Sequence, residues 1–348
     1  MAISFVRAEL HQRLTEFAKA GVLPADLAQK YGVPEADKDS WNIQAAIESA
    51  RKAPTVRIEL ENFRPFEKRH VIYDRAFIAR PNHRIFDQLI DRDNLALVCV
   101  RALANLPFHH AFVADGAGDQ HFISTRTKEG GQFFPLYLYP PSADATPAKR
   151  DLFGTGTGPF AGRDRIENIA PAFRTWLDAR LGVVHSPEAL LGYIYAVLHA
   201  PAYRTAYADV LRSDFPRIPF PEDNAAFVAL AALGEGLVAA HLLRSVPKRG
   251  LGGYTGKGDN RVETIDWRAV DSRIVINAHQ TFADVPQAVW EFTIGGYQVL
   301  RQYIKARKGR VLTLDEIENV ENVVNVLAFT IDRMAEIDAA YIAAFAAA

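Results

Sequence analysis

The chain has 348 residues, 49% of them hydrophobic, with 40 Lys+Arg against 41 Asp+Glu and a single cysteine, Cys99. This suits two domains, or one large domain with an elaborated lobe, and it excludes a disordered tail, a disulfide scaffold and a zinc site built from several cysteines. The start MAISFVRAEL lacks a basic stretch followed by an apolar one, and the alanine-rich run at 339–348 is too short to span a bilayer, so the expected setting is the cytoplasm with no membrane partner.

Residues 3–52 read as a small N-terminal helical segment, because Leu10, Leu14, Phe17 and Ala18, then Trp41, Ile43, Ala46, Ile47 and Ala50, recur at helical spacing. From Val56 the texture changes to short runs rich in β-branched and aromatic residues: VRIEL, HVIYD, LALVCV, HHAFVAD and FFPLYLY. These predict strands, with one helix among them near Asn82–Arg92. The Pro/Gly/Thr-rich stretch from Pro140 to Arg165 predicts a long connection.

Ser186-Pro187-Glu188 then supplies an N-cap, a proline at the first helical position and an early acid for a helix that Pro201 ends. A second helix carries Tyr203, Tyr207, Val210 and Leu211, and a third runs from Ala225 to Leu243. The glycine-rich loop KRGLGGYTGKGDN leads into two or three strands between Arg261 and Phe282. Helices over Tyr297–Ala306 and Thr313–Ile337 follow, the latter opened by a capping box of Thr313 and Glu316. The expected class is α+β: a small N-terminal helical segment (1–55), a mixed, mainly antiparallel β-sheet region (56–165), and a helical C-terminal lobe with a short β insertion (166–348).

The usual enzyme templates are missing. The sequence holds no G-x-x-x-x-G-K-[ST] phosphate loop, no G-x-S-x-G elbow, no H-E-x-x-H helix and no G-x-G-x-x-G after a strand. Phe153–Gly158 (FGTGTG) has no preceding strand pattern and no P-loop lysine, and reads as a linker. His109, His110, Asp119 and His121 are metal-ligand types, but adjacent strand residues point to opposite faces, so His109 and His110 do not aim at one ion. Cys99 sits in an apolar strand pattern and reads as a buried structural thiol. Asn105-Leu106-Pro107-Phe108 is similar to the loop with which amino-methyltransferases hold a flipped adenine. Leu106 replaces its first proline and no cofactor loop accompanies it, so it reads as a turn. The expectation is a chain without catalytic, cofactor-binding or metal-binding residues.

The balanced charge argues at first sight against a nucleic-acid partner, but the basic residues are clustered. Between Arg64 and Arg84 stand Arg64, Lys68, Arg69, Arg75, Arg80 and Arg84 against Glu67 and Asp74 alone. The loop from Arg244 to Arg261 adds Arg244, Lys248, Arg249, Lys257 and Arg261 against Asp259, and Arg301, Lys305, Arg307, Lys308 and Arg310 occur with no acid among them. Separate basic clusters on a neutral protein suit a groove that tracks phosphates. Arg80, Asn82 and Arg84 also have the side-chain types that pair bidentately with guanine and adenine edges.

Several longer motifs point the same way: Arg64–Arg69 (RPFEKR), Phe134–Tyr139 (FPLYLY), Tyr193–Pro221 (YIYAVLHAPAYRTAYADVLRSDFPRIPFP) and Ile294–Leu312 (IGGYQVLRQYIKARKGRVL). In this order they resemble the C-terminal specificity region of Type ISP restriction-modification enzymes, from about Phe63 to Asp338. Glu67 stands where that family's opening motif has Asp. The resemblance implies a target-recognition module that reads a short duplex DNA sequence for an adenine methyltransferase and endonuclease. Methyltransferase and helicase or nuclease modules are the implied partners, and S-adenosylmethionine is expected in the methyltransferase, not here. Readout is expected from Ser124, Thr125, Arg126 and Lys128 and from the Lys248–Arg261 loop, while Arg204, Arg212 and Arg217 suit anchoring of carboxylates or helix C-termini. The alternatives are a divergent S-adenosylmethionine-dependent adenine methyltransferase and a coupling subunit that does not bind DNA.

Overall fold

The computed structural model describes residues 1–36, 41–52, 56–78, 82–105, 107–140, 160 and 163–345. The chain divides into two compact units: 1–63, 67–93 and 116–119 form the first, and 64–66, 94–115 and 120–348 the second.

In the first unit, β1 (Ile3–Ser4) precedes helices α1 (Arg7–Ala18), α2 (Pro24–Tyr31) and α3 (Ile43–Lys52). The hairpin β2 (Ile58–Arg64) and β3 (Glu67–Ile72) and the single-turn helix α4 (His83–Phe86) follow. The strands form an antiparallel sheet in the order β1-β3-β2, with Ile3 opposite Val71. Leu10, Phe17, Ile43, Ile47, Ile58, Ile72 and Phe77 form its core. A fully buried Leu, Ile or Phe contributes about 1.5–3 kcal/mol, so the helical periodicity of this segment is the imprint of that core.

The second unit is built around a three-stranded antiparallel sheet in which β4 (Ala96–Cys99) lies between β5 (Ala111–Ala114) and β6 (Gln132–Pro135). Every residue of β5 is buried, which explains its apolar run. A two-stranded ladder, β7 (Tyr137–Leu138) with β8 (Ile166–Glu167), leads to the helices. These are α5 (Pro171–Leu181), α6 (Pro187–His199), α7 (Pro201–Ala206), α8 (Ala208–Ser213) and α9 (Asn224–His241). Helices α6 and α9 pack on each other and on β5. They meet where Gly192 faces Gly234: a Cβ on Gly234 would stand 1.8 Å from the Gly192 carbonyl oxygen, so only glycine allows this approach. Helix α9 is long and apolar enough to cross a membrane by length and composition, and here it is the core partner of α6.

A small four-stranded sheet follows, in the order β10 (Asp266–Arg268), β11 (Arg273–Val275), β12 (Thr281–Phe282), β9 (Tyr254–Thr255). The one-turn helix α10 (Gln287–Trp290), the hairpin β13 (Thr293–Ile294) and β14 (Tyr297–Gln298), helix α11 (Val299–Lys305) and the 32-residue helix α12 (Leu314–Phe345) complete the unit.

The α+β class and most elements agree with the sequence pattern, including the Ser186 cap, which accepts from the Ala189 amide, and the reciprocal Thr313–Glu316 capping box. Four local differences have physical causes. Ile3–Ser4 is a strand because it pairs with β3. The helix expected over Asn82–Arg92 lasts one turn, since Gln88 and Leu89 bond back three residues and Asp91 adopts a positive φ. Tyr207, at φ −104° and ψ 17°, splits the second expected helix. Tyr297–Gln298 joins a hairpin, so that helix begins at Val299. The Phe153–Gly158 linker and most of the Pro140–Arg165 connection lie outside the described residues.

Candidate nucleic-acid interface

Two of the basic clusters meet in the second unit. The Val262 amide bonds the Arg310 carbonyl at 2.9 Å, the Gly309 amide bonds the Val262 carbonyl at 2.7 Å, and the Arg261 guanidinium donates to the Gly309 carbonyl at 2.7 Å. The 248–261 loop therefore lies alongside the 305–310 turn. Its shape is set from beneath. Asn325 on α12 accepts from the Arg249 amide and donates to the Leu251 carbonyl, and Glu321 accepts from the Tyr254 amide. Gln280 joins Asn260 and Asn277 through its amide. Lys248, Lys257, Lys305 and Lys308 are exposed around this framework.

The arginines here are more committed. Arg249 pairs with Asp332 at 2.5 Å, Arg261 with Asp259 at 3.4 Å, and Arg310 lies 4.0 Å from Glu316. Arg307 corrects the expectation of a surface contact. It is 3% exposed, bonds Glu316 at 2.8 Å and the Tyr303 carbonyl at 2.9 Å, and stacks on the Tyr303 ring. It is a structural cation.

A second group surrounds residues 124–129. Ser124 is also a correction: it is fully buried and donates to Glu129 at 2.5 Å, so it cannot face a ligand at the surface. Thr125, Arg126 and Lys128 are exposed. Beneath them lies Glu129, 1% exposed, which accepts from Ser124 and the Ala104 amide and lies 3.2 Å from His110 Nε2. Burial opposes ionisation of Glu129, but these donors outweigh it and hold the carboxyl below its usual range. Burial likewise keeps His110 below the usual histidine range; its Nδ1 accepts from the His109 amide at 3.4 Å, which leaves Nε2 to face the Glu129 carboxylate as the donor. The hairpin β13–β14 buttresses the loop through the Gly296 amide to the Ile123 carbonyl, 2.9 Å, and the Tyr297 hydroxyl to the His121 carbonyl, 2.7 Å. Gly295 is required there by its φ of 56° and by the Ile123 carbonyl, 1.8 Å from where a Cβ would stand. The Arg64 guanidinium lies 5.3 Å from the centre of the Tyr297 ring.

Helix α11 joins the two groups: Tyr297 just precedes it and Lys305 ends it. At 1.5 Å per residue its seven residues span about 10 Å. Lys68, Asn82 and Arg84 lie on the first unit and are exposed. Asn82 caps α4 through its backbone, not its side chain. Arg80 lies outside the described residues. Glu129, Asn325, Gln280 and Tyr297 were not singled out from sequence. The one local signal for Glu129 is its place three residues after Arg126.

The residues weighed for other chemistry have internal roles. Cys99 is buried, which pushes its thiol up to about 12 and removes it as a nucleophile. Phe108 is 1% exposed, so its ring is not open to a flipped base. His109 lies 3.4 Å from Arg204, which donates to the Leu198 carbonyl in the last turn of α6, the helix-terminal anchoring expected of it. Among the described residues no three His, Cys, Asp or Glu side chains form a metal-binding group.

In this α+β chain, buried amide and carboxylate side chains, Asn325 and Glu129 among them, thus hold basic loops in place at the surface. Residues 1–336 match the family model of the Type ISP C-terminal specificity domain, and the chain belongs to that family. No curated protein matches it. Its fold is similar to part of the cryo-EM structure of a DrdV–DNA complex (TM-score 0.69, 20% identity, 96% of this chain and 34% of that one). It is also similar to part of the ATP-dependent Type ISP restriction-modification enzyme LlaBIII bound to DNA (0.68, 19%, 97% and 22%). A third likeness is to a nuclease-deletion mutant of the Type ISP enzyme LlaGI in complex with a DNA substrate mimic (0.62, 17%, 96% and 26%). The chain thus spans about a third or less of each of these proteins.

Proposed function

We propose that this chain is the target-recognition module of a restriction-modification enzyme, reading a short duplex DNA sequence so that an adenine methyltransferase and endonuclease act at the right place. The observation that carries this reading is the family match over residues 1–336. The structure supports it by bringing the 248–261 and 305–310 clusters side by side, with the 124–128 loop supported at the other end of a helix about 10 Å long, comparable with the roughly 12 Å width of the major groove. In this reading the exposed lysines neutralise phosphates and the arginine-bearing loop contributes specificity. Catalysis, the S-adenosylmethionine site and any translocase belong to associated modules, and the complex works in the cytoplasm.

The test is duplex binding by fluorescence anisotropy across a salt series. Affinity is expected to fall steeply with salt, the logarithmic slope being about −0.9 per phosphate neutralised, and one sequence is expected to bind better than the rest. Absence of duplex binding at low salt, by the chain alone and with its methyltransferase, overturns the reading.

A further inference from the structure

Base reading by arginine needs a planar fork that is accessible at its outer edge and fixed at its inner edge, because a freely rotating guanidinium loses the geometry that distinguishes guanine from other bases. Among the candidate arginines of the second unit, Arg126 shows this combination. Its side chain is 52% exposed, and its Nη1 lies 3.8 Å from Glu129 Oε1. Oriented so that both of its polar atoms are satisfied, the Asn105 amide accepts from Arg126 Nη1 at 2.8 Å and donates to the Ala104 carbonyl at 2.8 Å.

Nη1, at the inner side of the guanidinium, is thus hydrogen-bonded by one amide and lies in ion-pair range of one buried carboxylate, and neither partner is loose. Glu129 is fixed by Ser124, by the Ala104 amide and by His110. Ala104 in turn accepts from Asn105, which closes a ring of hydrogen bonds from residue 104 to residue 129. The Arg126 amide bonds Ser124 Oγ at 3.2 Å, so backbone and side chain are positioned by the same group. Arg249 and Arg261 pair instead with exposed acids, Asp332 and Asp259, Arg310 lies 4.0 Å from a Glu316 already bonded to Arg307, and Arg307 is buried.

We infer that Arg126 reads a guanine in the major groove through its outward-facing edge, and that Glu129 and Asn105 are positioning residues that hold the guanidinium in readiness. The chemistry recognised is the O6 and N7 acceptor pair of guanine. This inference rests on the target-recognition reading above and adds to it a residue, a base and a mechanism of positioning.

The test uses the 348-residue chain and a pool of 30-base-pair duplexes with a randomised central window, selected by binding and sequenced. Wild type is expected to enrich a motif containing guanine. Arg126→Ala is expected to lose roughly ten- to a hundredfold discrimination at one guanine position, with the rest of the motif and the salt dependence of bulk binding retained. Arg126→Lys, which keeps the charge but not the fork, is expected to leave that position degenerate. Glu129→Gln and Asn105→Ala are expected to weaken preference at the same position and no other, in protein that unfolds cooperatively. A motif left intact in folded Arg126→Ala protein overturns the inference while the target-recognition reading stands. Enrichment of no motif by wild type overturns both.

Discussion

The Arg261 guanidinium donates to the carbonyl of Gly309, 48 residues further along the chain, at 2.7 Å. Two basic stretches that are separate in sequence thereby become one surface, and the residues within it have different fates. A lysine such as Lys308 projects into solvent, whereas its neighbour Arg307 is 3% exposed. Substitutions one residue apart should therefore have effects of different kinds.

Replacing Lys257, Lys305 or Lys308 with Ala should weaken binding to all duplexes alike. Each substitution should lower the magnitude of the logarithmic salt slope by about 0.9, without altering which sequence is preferred. Anisotropy titrations at several salt concentrations measure both quantities.

Arg307→Ala and Glu316→Ala should act on stability first. The pair lies at 2.8 Å with both partners largely shielded, and removing one partner of a buried ion pair costs about 3–5 kcal/mol. Glu316 also closes the Thr313 capping box, so its loss should be the more costly. Urea unfolding of both variants, compared with Lys308→Ala, checks this.

Gly234→Ala should be among the most damaging single-methyl additions to the core. The new Cβ would meet the Gly192 carbonyl at 1.8 Å, and α6 and α9 must separate to admit it. A loss of about 1–3 kcal/mol or more is expected, whereas Gly236→Ala on the same helix meets no atom within 4 Å and should be neutral or mildly stabilising. The two unfolding curves test the comparison.

Stability should decline as pH falls below about 6.5. His241 is buried between the Tyr195 hydroxyl at 2.6 Å and Thr330 at 2.9 Å, and burial lowers its pKa to about 3. His109 is lowered to about 4 by burial, Arg204 and His110. Each group binds a proton in the unfolded chain before it does so in the folded one, so the stabilisation is present above about pH 6.5 and is lost as pH falls through the folded values. Between pH 6.5 and 5 each contributes a loss of up to about 2 kcal/mol. Unfolding midpoints at pH 7, 6 and 5 measure the slope, and Thr330→Val, which deprives His241 of its acceptor, should cost about 1–3 kcal/mol at pH 7.

The sequence by itself determined whatever depends on near neighbours. The apolar run LALVCV specifies a strand buried in the sheet, Ser186 and Thr313 specify helix starts, and the long motifs from Tyr193 and Ile294 identify the family. The fate of each charge was decided only by tertiary structure. Arg307 and Lys308 look alike in a basic run, and what separates them is the arrival of Glu316 and the Tyr303 ring. Ser124 looks like a loop hydroxyl until Glu129 draws it inward, and Arg126 acquires its fixed inner edge from Asn105, 21 residues earlier. The physical reason is that helix and strand patterns follow from local periodicity and capping. Burial, charge pairing and the orientation of a guanidinium depend instead on groups brought together by the fold.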